Sequence, residues 1–191
     1  VGITRWKGEE WITQRALDTA NFTVEKDALT LCGNGLDLCD RKMQGLLLVR
    51  QQERAFTAET ALEIPAAGTA GLTCYYDEHS YLKFGIGPEG LLLEEYAGYE
   101  VVSRQTAPLP ASTSHVRLRV TAADGQRHFA IQDRTDWHTL WSIPEPRYLT
   151  SEGLQCGKRF TGAMVGLYVH GASAVRFTDW VAVWPHPEEK R

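Results

Sequence analysis

The chain holds carboxylates, histidines, tyrosines and arginines whose types and spacings could carry acid–base chemistry. Glu59 and Glu63, in "ERAFTAETALEIP", fall on one face of an alternating run, as a glycosidase built directly on an open sheet would need. At a spacing of four they lie about 13 Å apart along an ideal strand, too far for the usual two-carboxylate mechanism. Glu94 and Glu95 are adjacent and so face opposite ways, and no Glu-x-Asp-x-Glu run occurs. A lyase uses different groups: His or Tyr removes the proton alpha to a uronate carboxylate, and Arg stabilises the charge. Arg117, Arg119, Tyr168 and His170 are of those types. Tyr168 and His170 alternate away from Val165, Leu167 and Val169, and are read as lining an open sheet with the two arginines opposite. No compact motif joins the four, so catalysis within this chain is not expected, and a free-standing jelly-roll enzyme of the lyase kind is the runner-up.

Binding chemistry has its own candidates. Trp137 and Trp141 straddle the run "DWHTLWSI", and an exposed indole is a stacking platform for a pyranose ring; packing is the favoured reading of both. Trp180 and Trp184 fall on the strand face opposite Val181 and Val183, which suits either exposure or a buried second sheet. Tyr75 and Tyr76 must point to opposite faces, and Tyr81 shares an outer face with Lys83. A sugar-binding strip formed by a tyrosine with His79 is weighed against plain packing, which is favoured. Asp37, Asp40, Asp77, Asp124, Asp133, Asp136 and Asp179 sit near turns. Asp is the preferred turn residue, and that reading is favoured over a bound structural calcium. Cys32, Cys39, Cys74 and Cys156 form no Cys-x-x-Cys pair and have no His at ligand spacing, so zinc is not supported. Cys74 reads as a small buried hydrophobe, and a Cys32–Cys39 bridge is not favoured. Free thiols suit a reducing compartment, and cytoplasmic localisation is expected, with secretion left open.

These residues need a scaffold, and the pattern supplies strands. The stretch "FTAETALEIPAAGTAGLTCYY" at 56–76 places Phe56, Ala58, Thr60, Leu62 and Ile64 on one face and Thr57, Glu59 and Glu63 on the other, with Ala61 tolerable on either. Pro65 and Gly68 then turn the chain, and "AGLTCYYD" is expected to return as the neighbouring strand. Strand-like runs recur at 22–31, 45–50, 54–64, 69–77, 80–86, 90–96, 99–105, 115–122, 126–132, 137–143, 162–170 and 175–183. Asp124-Gly125 supplies a tight hairpin between Val116, Leu118, Val120 and the returning Phe129 and Ile131. No run carries a helical period. A dozen short strands without βαβ spacing predict an all-β fold, a concanavalin A-like jelly-roll β-sandwich of two antiparallel sheets. The expected division is an N-terminal extension with the first strands over 1–26, the sandwich over 27–184, and a charged tail over 185–191.

With 43% hydrophobic residues in 191, one core is affordable, and the net charge of −4 with scattered Lys and Arg offers no footprint for nucleic acid or an anionic membrane. Apolar runs such as "GLLLV" at 45–49 are too short to span a bilayer.

Several segments, in order, carry a resemblance. "LTLCGNG" (29–35), "VRQQERAFTAET" (49–60), "AGLTCYYDEHSYLKFGI" (70–86), Asp133 with Trp137, and "RFTGAMVGLYVHG" (159–171) running to "VRFTDWVAV" resemble the C-terminal β-sandwich of glycoside hydrolase family 43 β-xylosidases and α-L-arabinofuranosidases. In that family a five-bladed β-propeller carries the catalytic carboxylates, and the sandwich closes one side of the sugar pocket. The resemblance therefore implies an accessory role in degrading xylan or xylo-oligosaccharides, by shaping the pocket or binding carbohydrate, with a β-propeller catalytic domain as partner. A non-sugar oligomerisation module is a third reading. Where relatives read Ala-Arg-Arg this chain has Leu48-Val49-Arg50, so Arg50 alone carries over. Arg159 stands where many relatives place an aromatic that reaches the pocket. The resemblance implies that Arg159 projects from the rim while Phe160 anchors the loop inward. Arg50, Trp137, Tyr168, His170, Arg159 and Phe160 are the candidate contacts with carbohydrate or the pocket rim; no catalytic residue and no certain cofactor is assigned.

Overall fold

The computed structural model describes residues 3–13, 21–109, 113–150 and 162–185. They form fifteen strands and a single 3-10 turn, Arg147–Leu149. One antiparallel sheet of eight strands joins, edge to edge, β1 (Ile3–Trp6), β2 (Glu9–Ile12), β5 (Leu46–Arg50), β14 (Met164–His170), β7 (Thr69–Asp77), β8 (Ser80–Gly87), β9 (Gly90–Ala97) and β10 (Glu100–Ala107). The other, of seven, joins β13 (Asp136–Pro144), β12 (Gln126–Asp133), β11 (His115–Ala123), β6 (Phe56–Glu63), β15 (Ala174–Val183), β4 (Ala28–Cys32) and β3 (Asn21–Val24). This is the sandwich of two antiparallel sheets that the alternation predicts.

Period-two patterning explains most of it. On β6, Phe56, Ala58, Thr60 and Leu62 are buried and their neighbours are not. They pair in register with Ala122, Val120, Leu118 and Val116 of β11. Thr60 is tolerated in the core because its hydroxyl donates to the Thr178 carbonyl at 2.9 Å. Asp124 and Gly125 both take positive φ, 52° and 74°, the geometry of a two-residue type I′ hairpin between β11 and β12.

The expectation that β7 returns beside β6 is corrected: the two strands belong to different sheets. Residues 64–68 cross the sandwich rather than close a hairpin. β6 has a wet outer face, whereas β7 is buried at six consecutive residues from Ala70 to Tyr75, and a strand covered on both sides belongs in the interior of a sheet. The expected run 22–31 is likewise two strands, broken at Lys26-Asp27 where Glu25 N–H donates to the Ala28 carbonyl at 2.8 Å. Two further strands precede it and reach the core through tryptophan. Trp6 and Trp11 lie 5.9 Å apart, and Trp11 meets Trp180 edge-on at 4.7 Å. An indole that size buries about 150–250 Å², worth on the order of 4–6 kcal/mol at about 25 cal/mol/Å².

The eight-stranded sheet is covered on its outer face as well. The connection between β4 and β5, residues 33–45, lies over it as a strap that seats Leu38 and Met43 against Leu46, Leu48, Tyr75, Tyr81, Met164 and Tyr168. Asn34 ties the strap's own ends, donating to the Lys42 carbonyl at 2.9 Å and accepting from Gln44 N–H at 3.2 Å. Glycine is required where the strap enters and leaves: a side chain on Gly33 or Gly45 would strike the carbonyl of Gly171 or Val169 at 2.0 and 2.3 Å.

Candidate functional site

Arg159 and Phe160 lie outside the described residues, and so do Lys158 and Cys156. The strand ends that flank that segment are described. Arg50 is exposed at the end of β5 and pairs with Met164, the first residue of β14. Gln51 N–H extends that ladder by donating to the Ala163 carbonyl at 3.0 Å.

A buried cation stands behind this rim. Arg127 on β12 points inward like Phe129, and its side chain is 1% exposed. Its Nε donates to both Glu145 oxygens at 3.1 Å and its Nη2 donates to Oε1 at 2.6 Å, a bidentate pair. Nη2 also reaches Gln51 Oε1 at 3.5 Å, and the guanidinium lies over the Phe56 ring at 5.3 Å. Arg127 therefore links the chain before the 3-10 turn, through Glu145, to the chain before β14, through Gln51 and Ala163. Tyr148 in the same turn donates to Glu95 Oε1 at 2.8 Å. Burial pushes the Tyr148 phenol up, and Glu95 adds to it. Cys74 is buried, as its alternation predicts, with its thiol pushed up by burial and held against Arg127.

The outer face of the eight-stranded sheet places Tyr168 and His170 together, but not as read from the sequence. Tyr168 does point away from Val165, Leu167 and Val169, yet it is fully buried under the strap and offers no ring face to a sugar. Its hydroxyl donates to Thr69 Oγ1 at 3.2 Å and occupies the space a side chain at Gly85 would need. Lys83 is 2% exposed and donates to both oxygens of Asp37, a strap residue, at 3.0 and 3.1 Å. It meets Glu94 at 3.2 Å, and Arg104 approaches the same carboxylate at 3.7 Å. Lys83 Nζ lies 3.4 Å from His170 Nδ1. An ammonium can only donate, so this contact fits a neutral ring carrying its proton on Nε2. Burial lowers the His170 pKa; Asp37 opposes that, and Lys83 reinforces it.

Arg117 and Arg119 are on the other sheet, on its outer face, with the core between them and Tyr168. The lyase quartet is therefore split across the sandwich. Arg119 binds Glu59 at 2.6 Å and lies over the Trp137 ring at 3.8 Å; Arg117 meets Asp179 at 3.4 Å. Trp137 is half-buried beneath that guanidinium, while Trp141 faces the core against Phe84. Glu63 faces His115 at 3.4 Å, so the two glutamates of β6 serve separate cross-strand pairs. Trp180 is buried and Trp184 packs on Phe56, leaving Val181 and Val183 to solvent.

Among the described residues no group of three His, Cys, Asp or Glu side chains could hold a metal ion, and Cys32 and Cys39 are not bonded to each other. Sequence reasoning missed Arg127 and Lys83 as organising residues. The signals existed: Arg127 shares the inward face of Phe129, and Lys83 interrupts the otherwise apolar run "YLKFGI".

Residues 7–180 match the family described as the β-xylosidase C-terminal concanavalin A-like domain. A β-xylosidase of Bacillus subtilis (strain 168) is 27% identical over 169 residues, which is 80% of this chain and 32% of that protein. The GH43 protein BlXynB of Bacillus licheniformis superimposes with a TM-score of 0.66 at 26% identity, over 80% of this chain and 32% of its own. The GH43B protein of the xyloglucan PUL of Bacteroides ovatus gives 0.75 at 21% identity, over 94% of this chain and 38% of its own. This chain thus spans about a third of the enzymes it matches. A functionally unknown protein from Saccharomyces cerevisiae gives 0.64 at 18% identity, over 93% of this chain and 96% of that one.

Proposed function

Because this chain belongs to the family of β-xylosidase C-terminal concanavalin A-like domains, the accessory domain of family 43 glycosidases of the xylosidase and arabinofuranosidase type, we propose that it shapes a sugar pocket formed with a β-propeller catalytic domain. In this reading bond cleavage belongs to the propeller. The observation that carries it is the match of 80% of this chain to only 32% of a β-xylosidase, which leaves most of that enzyme to another part of its chain. The rim held by Arg127 and Gln51 is the docking end. It gathers Arg50, the start of β14 and the flanks of the segment bearing Arg159, where the sequence resemblance puts the pocket contact.

The test uses the chain alone and the chain mixed with a family 43 propeller from the same organism. Alone, it should release no aryl xyloside or aryl arabinofuranoside product above blank. Mixed, it should co-elute with the propeller and raise its kcat/KM, and Arg50→Ala should weaken both effects. Turnover by the purified chain, or a propeller indifferent to it, would overturn the proposal. A second reading, a free-standing binding or oligomerisation module, is favoured by the yeast protein, in which this fold fills 96% of the chain. The size of the native gene product separates the two.

A further inference from the structure

Tyr99 sits at the tip of the β9–β10 hairpin, at the same end of the eight-stranded sheet as Arg50. A cross-strand row runs between them: Val101, Tyr96, Tyr81, Tyr75, Met164 and Arg50 are successive register partners. The hairpin turns through Gly98 and Tyr99, both at positive φ, 61° and 68°. The second of these positions favours glycine, and a bulky side chain there holds the backbone against its preference. Four other described non-glycine residues take positive φ, namely Lys7, Asp124, Arg134 and Asp179, and none is aromatic. Tyr99 is also 70% exposed, more than the other large hydrophobic residues that reach solvent. A large ring in an unfavourable backbone conformation, turned outward, contributes little to the core. Outliers of this kind gather where a protein presents a side chain to something else.

The ring is held in place. His79, at the tip of the adjacent β7–β8 hairpin, packs against it with centroids 4.0 Å apart, and the Tyr99 hydroxyl lies 3.2 Å from His79 Nε2. His79 is fixed from its other side, its backbone N–H donating to Asp77 Oδ1 at 2.8 Å. Glu78 stands beside it, 3.5 Å from Nε2, and meets exposed Arg41 of the strap at 3.3 Å. An exposed aromatic ring braced by an imidazole, which buried Glu78 links to the exposed Arg41 guanidinium, matches a sugar ring. Axial C–H bonds pack on the π-face, while equatorial hydroxyls find donors and acceptors around it. The sequence suggests a tyrosine strip with His79; the fold supplies Tyr99 in that role, since Tyr75 and Tyr81 are buried and stacked on one another.

We propose that Tyr99, clamped by His79 with Arg41 linked to that histidine through Glu78, is a carbohydrate-stacking site on the rim end of the sandwich, taking a pyranose unit of a xylo-oligosaccharide. The sugar class rests on the family reading above; the site does not, because it needs no propeller.

Isothermal titration of the chain with xylohexaose tests the site through two variants. Tyr99→Gly suits the positive φ and should fold at least as well as wild type, yet bind about tenfold more weakly. Tyr99→Phe keeps the ring and should change affinity less than about threefold. His79→Ala, which frees the ring, should fall between them. No saturable binding of xylohexaose by the wild type, or equal affinity for wild type and Tyr99→Gly, overturns the site. Neither result touches the propeller proposal, which is read by co-elution.

Discussion

Arg127 and Lys83 are both strand cations withdrawn from water, with side chains 1% and 2% exposed, but their surroundings differ. Arg127 lies between the sheets and depends on one carboxylate, Glu145. Lys83 lies on the outer face beneath the strap and is shared by Asp37 and Glu94. A buried charge left without a counter-ion is far more damaging than a lost ion pair, so the number of partners decides how fragile each arrangement is. The rim should therefore be brittle and the strap tolerant.

Glu145→Ala gives the largest expected effect, because it strands the guanidinium between the sheets. It should lower unfolding free energy by about 3–5 kcal/mol in urea titrations. Arg127→Met should cost less, about 1–3 kcal/mol, since Glu145 can turn to water. If the two variants are equal, dependence on a single partner is not what makes the rim fragile. Asp37→Ala comes next, at about 1–2 kcal/mol, because Glu94 still holds Lys83. Adding Glu94→Gln should then lose more than the sum of the single changes, and an additive double-mutant cycle would break the comparison.

The pH dependence of the strap is smaller and has a definite sign. His170 is held below its ordinary pKa by burial first, so between its folded value and an unfolded value of about 6.5 the unfolded chain binds more protons. Stability must then rise with pH through that window and fall on acidification. Melting curves from about pH 5 to pH 8 should show wild type losing more on the acid side than His170→Gln, and parallel curves would remove His170 from the strap's charge balance. The smallest effect belongs to the wet outer face of the other sheet: Arg119→Ala, which loses Glu59 and the Trp137 ring, should cost about 0.5–1 kcal/mol.

How much of this was legible in the chain depends on what period-two patterning can encode. The β11–β12 hairpin was readable because its alternation and its Asp124-Gly125 turn agree. Which sheet a strand joins was not: β6 and β7 both alternate or run apolar, and nothing local says that residues 64–68 cross the sandwich. Alternation gives Tyr168 its face but not its surroundings, since the residues that bury it, Leu38 and Met43, come from a connection with no period. Arg127 was within reach of the pattern, on the face of Phe129, but a charge on a core face is easily discounted until its partner, Glu145, is seen in space. Tyr99 could not be found from type or spacing, because its significance lies in a backbone angle and a neighbouring hairpin.

The strap also sets an order of events as the protein is made. Its ends lie against Val169 of β14 and against Gly171 and Ser173 in the connection from β14 to β15, and β14 is the strand that fills the gap between β5 and β7. Until those residues leave the ribosome, Leu46, Leu48, Tyr75 and Tyr81 have been synthesised but not covered, and β5 and β7 each present an unpaired edge. Long-range closure of this kind is slow, and it leaves an apolar, edge-bearing intermediate waiting on β14. Truncations that remove β14 should therefore yield aggregates rather than a smaller domain. A sequence change that slows closure would be felt first as lost soluble yield, before any loss in the stability of the finished fold.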